Sequence, residues 1–299
     1  MNKTIYALGF FDGVHIGHAA LLRFCRALAE EKKCRCGVVT FTSHPDTLVA
    51  GNTPRLINTY ADRERLLKER FSMDTVISLP FDEQMRQMPW QDFLQMLVSR
   101  YGAAGFVCGE DFRFGRQGLG NGESLAGFCR ERDLPWAVVP EQTLDGLRVS
   151  STYIRSQIAC GDMETAVRFL GHPHILTGRV IHGQQLGRRL GIPTANLRLP
   201  EELVVPRFGV YICRAIVEGK AYPAVTNIGS RPTVGGQGIT VEPWILDYEG
   251  DLYGEEITLE CYRFLRPEQK FPSLEALTEE IHRNAQQVRI YLKQKEIMP

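Results

Sequence analysis

The chain has 299 residues, 43% hydrophobic and 23% charged, with 35 basic and 35 acidic side chains and a formal net charge of zero. That is the composition of an ordinary soluble globular protein, and its length suggests two domains rather than one. The balanced charge argues against a partner held through phosphate-backbone electrostatics, so no nucleic acid is expected, while a local basic pocket for a nucleotide stays open.

No apolar run reaches the roughly 20 residues of a membrane helix, and the opening MNKTIYALGFFDG lacks a long apolar core with a cleavage site. No membrane association is expected, and the chain reads as cytoplasmic. The eight cysteines are scattered, with no C-x-x-C pair. A structural zinc site is therefore not expected, and buried free thiols are.

In chain order, residues 4–10 are an apolar strand and 19–32 a helix with apolar positions at Leu21, Leu22, Cys25, Leu28 and Ala29. Residues 36–41 form a second strand, 61–71 a charge-laced helix, and 75–79 a strand. Pro89 opens a helix to about residue 100. Strand 105–108, helix 124–132 and strand 136–139 follow. This alternation predicts a parallel sheet flanked by helices. Ser150 or Ser151 caps a helix stopped by Gly161, and a second helix, 163–170, ends at Gly171. Beyond 171–174 the texture changes to β-rich runs at 176–181, 210–217, 221–226, 240–248 and 256–264. They are separated by Gly and Pro turns and predict a small antiparallel barrel. One amphipathic helix, 274–291, closes the chain.

Residues 9–18 read GFFDGVHIGH at the junction of the first strand and first helix. Free N–H groups and partial positive charge at a helix start accept phosphate. Gly9, Gly13 and Gly17 allow close backbone approach, and Phe10 and Asp12 share the loop. His15 and His18 can aim imidazole donors at the same place. Residues 150–155, SSTYIR, place Ser151, Thr152 and Arg155 at another helix start, where they could clamp a triphosphate or simply cap the helix. In GEDFRFG, residues 109–115, Phe112 and Phe114 could flank a planar ring while Asp111 addresses polar groups, or the aromatics could be core.

These segments, with TFTSHP at 40–45, resemble in order the adenylyltransferase half of bacterial bifunctional riboflavin kinase/FAD synthetases. Thr42 and Ser43 depart from the acid and proline usual before His-Pro, which puts the local loop shape in doubt. His15-Ile-Gly-His18 also occurs in class I aminoacyl-tRNA synthetases, but no K-M-S-K-S-like loop accompanies it here.

Residues 178–197 read GRVIHGQQLGRRLGIPTANL. Gly183, Gly187 and Gly191, with Arg189, make a basic flexible loop able to cradle phosphates or to serve as a glycine-rich hairpin. Thr194 and Asn196, two apart on an extended segment, share one face and could hold Mg2+ through oxygen. The stretch closely resembles the riboflavin kinase signature. So do FGVY (208–211), NIGSRPT (227–233), Val241 with Glu242, DLYG (251–254) and FLRPEQKF (264–271), which contribute Asn227 and Arg266 as substrate-binding candidates.

The resemblance implies a Rossmann-like nucleotidyltransferase domain over 1–160 and a six-stranded antiparallel riboflavin kinase barrel with a C-terminal helix over 172–297. It implies phosphorylation of riboflavin to FMN by ATP with Mg2+, then adenylylation of FMN to FAD. Glu242 would be the base on the ribityl hydroxyl. His15, His18 and Arg155 would stabilise charge during adenylyl transfer. The expected partners are riboflavin, FMN and ATP, and the expected state is a monomer or weak homo-oligomer.

Overall fold

The computed structural model describes residues 3–49, 53–182, 191–233 and 236–298. The chain divides into two compact units, Met1–Ser151 and Thr152–Pro299. The division falls ahead of the change in texture at 171–174, because the helix before it packs on the barrel strands that follow.

In the first unit, β1 (Thr4–Leu8), β2 (Arg35–Phe41), β3 (Thr75–Leu79), β4 (Ala103–Gly109) and β5 (Trp136–Val139) make one parallel sheet in the order β3-β2-β1-β4-β5. Every residue of β1 is buried, as a central parallel strand covered on both faces must be. The strand order reverses at β1, so chain connections leave on opposite sides and open a crevice at the carboxyl ends of β1 and β4. The connecting helices are α1 (Ile16–Glu31), α2 (Asp46–Val49), α3 (Tyr60–Arg65), α4 (Glu83–Gln87), α5 (Trp90–Tyr101) and α6 (Gly122–Arg130). A hairpin, β6 (Thr143–Leu144) and β7 (Leu147–Arg148), ends the unit.

The sequence reading of 61–71 as one charge-laced helix needs refinement. Thr59 caps α3 by accepting from the Asp62 N–H at 3.0 Å, and the helix widens to a π turn over Leu66–Arg70. Arg63 is buried, not solvated. The short helices α2 and α4 and the hairpin had no signal strong enough to separate them from loop.

The helix α7 (Ser151–Cys160) starts on the last residue of the first unit and otherwise belongs to the second, where it and α8 (Met163–Leu170) precede the barrel. Helix α8 buries Met163, Ala166, Phe169 and Leu170 and packs on the strands β8 (His174–Ile181) and β13 (Glu256–Arg266). Glu164 on α8 pairs with Arg263 on β13 at 3.2 Å. With β9 (Asn196–Arg198), β10 (Gly209–Val217), β11 (Lys220–Thr233) and β12 (Gly236–Ile245), these strands close an antiparallel barrel in the order β10-β11-β12-β9-β8-β13. Strand β11 runs well past the expected 221–226, because its partner β12 pairs with it along its length. Helix α9 (Leu274–Gln294), capped by Ser273, lays Ala285, Val288 and Leu292 against Val210, Ile212, Val225 and Leu246.

All eight cysteines are free thiols; six are buried, Cys34 is half-buried and Cys160 exposed. Two pairs lie close, Cys25 with Cys36 at 3.5 Å and Cys213 with Cys261 at 3.3 Å.

At the head of β8, His174 is fully buried, and neither ring nitrogen has a hydrogen-bond partner among the described residues. Burial, with a smaller contribution from His172, pushes its pKa down to about 3. The unfolded chain binds a proton near pH 6.5 that the folded unit refuses, so the stability this site contributes is complete above about 6.5 and lost as pH falls toward 3. His174→Phe should therefore flatten the acid side of the unfolding curve of the second unit. The gap between variant and wild type should grow by roughly 3 kcal/mol between pH 7 and pH 4, read by urea titration at both values.

Candidate active sites

The GFFDGVHIGH loop turns from β1 into α1 under backbone strain. Phe11 (φ 61°), Gly13 (φ 79°) and Val14 (φ 39°) are all left-handed. For a β-branched residue such as Val14 this is unfavourable, and strain of this kind concentrates where geometry serves function. Asp12 is 2% exposed and its Oδ1 accepts the Ile57 N–H at 2.9 Å. Its carbonyl accepts the Ser151 hydroxyl at 2.9 Å. The Ser151 hydroxyl thus ties the first motif to the last residue of the first unit.

His15 caps α1. Its Nδ1 accepts the His18 N–H at 3.3 Å, so the ring is a neutral tautomer with its proton on Nε2. The two imidazoles stack at 3.6 Å, nearly parallel at 12°, and Phe11 meets His18 edge-on at 5.1 Å. Burial first, then His15 and the Arg63 charge, hold the His18 pKa well below the usual imidazole value. Both rings are hydrogen-bonding groups rather than cations. The loop therefore presents imidazole and backbone donors at a helix start, the chemistry of phosphate recognition. Gly9 and Gly17 are there for room: a Cβ at Gly9 would sit 3.0 Å from the Phe11 ring, and one at Gly17 3.2 Å from the His15 ring.

Beside this loop are residues that the motifs do not announce. The Asn58 side chain is wholly buried, and neither of its amide atoms has a hydrogen-bond partner among the described residues. Arg63 lies with its guanidinium 4.3 Å from the centre of the Phe10 ring. Phe10 also meets His44 edge-on at 4.6 Å. No spacing rule marks Asn58 or Arg63; a polar residue bought into a core is visible only in three dimensions.

Asp111 is exposed and held by Arg148 at 2.8 Å; Arg148 also pairs with Glu141. Phe112 and Phe114 stack on each other at 5.6 Å. Phe114 is buried and packs with Trp90 and Phe93, so it belongs to the core. Thr152 and Arg155 fall in the second unit, where Arg155 donates to the Thr152 hydroxyl at 3.1 Å.

In the barrel, strand register builds the site. Asn227 on β11 lies directly opposite Glu242 on β12. On the other side of β12, Leu197 pairs with Val241 and Thr194 with Trp244, and the Ala195 N–H donates to the Pro243 carbonyl at 3.0 Å. That register sets Asn196 opposite Glu242. Residues facing each other across antiparallel strands project to the same side. Asn227, Glu242 and Asn196 therefore form one row, with Thr194 and Trp244 in the next. Strand β12 alternates accordingly: Val241, Pro243 and Ile245 are buried, while Glu242 and Trp244 are half-buried. Thr194 and Asn196 put a hydroxyl and an amide oxygen in adjacent rows next to a carboxylate, a donor set that fits a hard divalent cation. Gly183, Gly187 and Arg189 lie outside the described residues.

Asn227 donates to Glu268 at 3.4 Å. Arg266 is turned to α9, donating to Asn284 Oδ1 at 3.0 Å and lying 3.4 Å from Glu280. Below the Trp244 row opens a cavity of about 690 Å³ lined by Pro193, Trp244, Tyr248, His282, Gln286 and Arg289, among others. Trp244 and His282 meet edge-on at 5.4 Å. Asp247 and Arg289 pair through both carboxylate oxygens. The walls are thus aromatic and polar together, as a planar heteroaromatic ligand requires.

A strained phosphate-type loop on a parallel sheet and a carboxylate–amide row on a barrel together define a two-headed, nucleotide-using transferase. The FAD synthetase family matches residues 1–153, and the riboflavin kinase family residues 170–292. The bifunctional riboflavin kinase/FMN adenylyltransferase of Listeria monocytogenes is 33% identical, over 97% of this chain and 93% of its own. That of Pseudomonas fluorescens is 38% identical, over 91% and 88%. A crystal structure from Streptococcus pneumoniae, described as a macrolide-efflux protein, superposes with a TM-score of 0.87 at 30% identity, over 96% of this chain and 94% of that one. Among the described residues, no helix of this chain is long and apolar enough to cross a membrane. The chain belongs to the bifunctional riboflavin kinase/FMN adenylyltransferase family and carries both of its domains.

Gly17 has an ordinary helical backbone and is limited only by the His15 ring. Gly17→Ala should change the melting temperature little, because the helical gain of alanine, at most about 1 kcal/mol, is opposed by a Cβ 3.2 Å from the His15 ring. It should also displace the His15 ring. Imidazole nitrogen resonances of His15 and His18 should shift together; unmoved resonances would mean that the ring does not depend on that glycine.

Proposed function

We propose that the second unit phosphorylates riboflavin to FMN with ATP, and that the first adenylylates FMN with a second ATP to give FAD and pyrophosphate. The observation that carries this reading is the Asn227–Glu242–Asn196 row, in which a carboxylate stands between two amides beside an aromatic-walled cavity. The similarity along both halves supports the pairing of the two activities. We assign the adenylyltransferase to residues 1–160 and the kinase to 172–297. The proposed setting is the cytoplasm, and the proposed state a monomer or weak homo-oligomer.

In the kinase, the isoalloxazine ring would occupy the cavity beneath Trp244, which points the ribityl chain toward Glu242. Glu242 accepts the proton of the 5′-hydroxyl as its oxygen attacks the γ-phosphorus of ATP, the bond from that phosphorus to the β,γ-bridging oxygen breaks, and ADP leaves. Thr194 and Asn196 would hold Mg2+, which when bound offsets the negative charge of the phosphates. Asn227, opposite Glu242, orients the hydroxyl. Gly183, Gly187 and Arg189, which lie outside the described residues, remain candidates for binding the nucleotide phosphates.

In the adenylyltransferase, the FMN phosphate oxygen forms a bond to the α-phosphorus of ATP while the bond to pyrophosphate breaks. No proton transfer or covalent enzyme intermediate is required. His15 Nε2–H, His18 and the first amides of α1 donate to the phosphate oxygens as charge redistributes. Asp12 and Ser151 keep the loop in place for this. Asp111 addresses the flavin side once Arg148 releases it.

Purified protein given riboflavin and Mg-ATP should form FMN first and FAD after it; a lack of either product would remove the corresponding half of the proposal. Glu242→Gln should lower FMN formation by about 10²–10⁴-fold while FAD formation from supplied FMN survives. Equal loss of both rates in a folded protein would overturn the role of Glu242. His18→Ala should do the reverse, with FMN accumulating from riboflavin and little FAD appearing; a wild-type rate of FAD synthesis would make the histidine structural.

A further inference from the structure

Arg63 is the bulkiest fully buried side chain among the described residues, 1% exposed. It enters the first unit on α3, outside every motif of the adenylyltransferase. Its Nη2 donates to the Phe41 carbonyl at 2.7 Å, but Nε and Nη1 are buried with no hydrogen-bond partner among the described residues. Its plane lies against Phe10 at 4.3 Å and approaches Tyr60 at 5.7 Å. Burying a guanidinium with two unmet donors is costly, and an apolar side chain of similar volume would avoid that cost. A fold that keeps the charge there has a use for it.

The adjacent loop suggests the use. A triphosphate brings several negative charges to the start of α1. Neither stacked imidazole supplies a full positive charge: His15 is a neutral acceptor toward the His18 N–H, and His18 is held in its neutral form. Burial lowers the Arg63 pKa, with Asp12 and Tyr60 raising it in turn, from a value so high that the guanidinium stays protonated in the working range, and the group lies over the Phe10 ring of the same loop. We infer that Arg63 is a positioning residue of the adenylyl-transfer centre: packed against the Phe10 ring of the loop and anchored on the Phe41 carbonyl, it braces that ring and sets a permanent positive charge toward the bound phosphates. The groups acting electrostatically on His18 are His15 from the start of α1 and Arg63 from α3, with Asp12 in turn acting on Arg63. The inference rests on reading the first unit as the FMN adenylyltransferase.

The test uses full-length Arg63→Met and Arg63→Lys, with riboflavin phosphorylation by the same preparation as the internal control. FAD formation from FMN and ATP is followed against pH, and the His18 imidazole is titrated by nitrogen NMR. Arg63→Met should lower kcat for FAD formation about 10–100-fold. It should also move both the acid limb of the profile and the His18 midpoint to higher pH, because a repelling charge has gone. Arg63→Lys should hold the midpoint near wild type and keep kcat within about tenfold of it. A wild-type kcat in Arg63→Met, or a His18 midpoint that moves equally in Met and Lys variants, would overturn the inference. Should Arg63→Met lose its cooperative melt, Arg63→Gln is read in its place; if Met, Gln and Lys variants all fail to fold, the arginine is structural and the inference falls. If wild-type protein makes no FAD, the reading of the first unit fails, while the titration still decides whether Arg63 acts on His18.

Discussion

The first unit depends on one buried residue. Asp12 accepts the Ile57 N–H through its carboxylate and the Ser151 hydroxyl through its carbonyl, and so joins three segments far apart in sequence. Without such a tie the turn from β1 to α1 would relax, since Phe11 and Val14 would leave their left-handed conformations for ordinary ones. Everything downstream follows from that turn being held. It stacks His15 on His18, exposes the first N–H groups of α1, and sets Phe10 against Arg63. The hydrogen bonds to Asp12 stabilise a shape rather than a ligand, and the shape is what a phosphate would meet.

The second unit reaches its chemistry by a different route. No tight turn is needed; antiparallel pairing alone lines up Asn227, Glu242 and Asn196, and alternation sends Val241 and Pro243 into the barrel. Side chains on three separate strands become neighbours because the strands are paired. A helix then completes the surroundings: α9 brings His282, Gln286 and Arg289 to the cavity mouth, and its own packing on Val210, Ile212, Val225 and Leu246 fixes where they stand.

Much of this was legible in the sequence. The βα alternation, the loss of helices in the second half, and both glycine-containing motifs carry local signals, because turns, caps and alternation are set by residues close in the chain. His15, His18, Thr194 and Asn196 could be picked out for the same reason, and Glu242 through the resemblance of its segment to the riboflavin kinase signature. Arg63 and Asn58 could not. They sit in a stretch that reads as a solvated helix and its approach, yet both are buried, Arg63 against the Phe41 carbonyl at the end of β2 and the Phe10 ring. Arg266 shows the converse. It stands within a recognisable motif, yet its guanidinium is directed at Asn284 and Glu280, a contact between residues that nothing local relates. The unit division likewise precedes the change in texture, because α8 packs on β13 and β8, strands that come later in the chain.

The pairing of β12 with both neighbours has a consequence for how this protein can vary. Point substitutions along the strand leave the row intact, but a single residue inserted between Ile239 and Glu242 would rotate every following side chain to the opposite face. Glu242 would then be carried into the barrel interior, an unfavourable place for a carboxylate, and an apolar side chain would stand between Asn227 and Asn196. The kinase half can thus drift in composition far more readily than in length. Insertions should be confined to the connecting loops, where the spacing between paired residues is not counted.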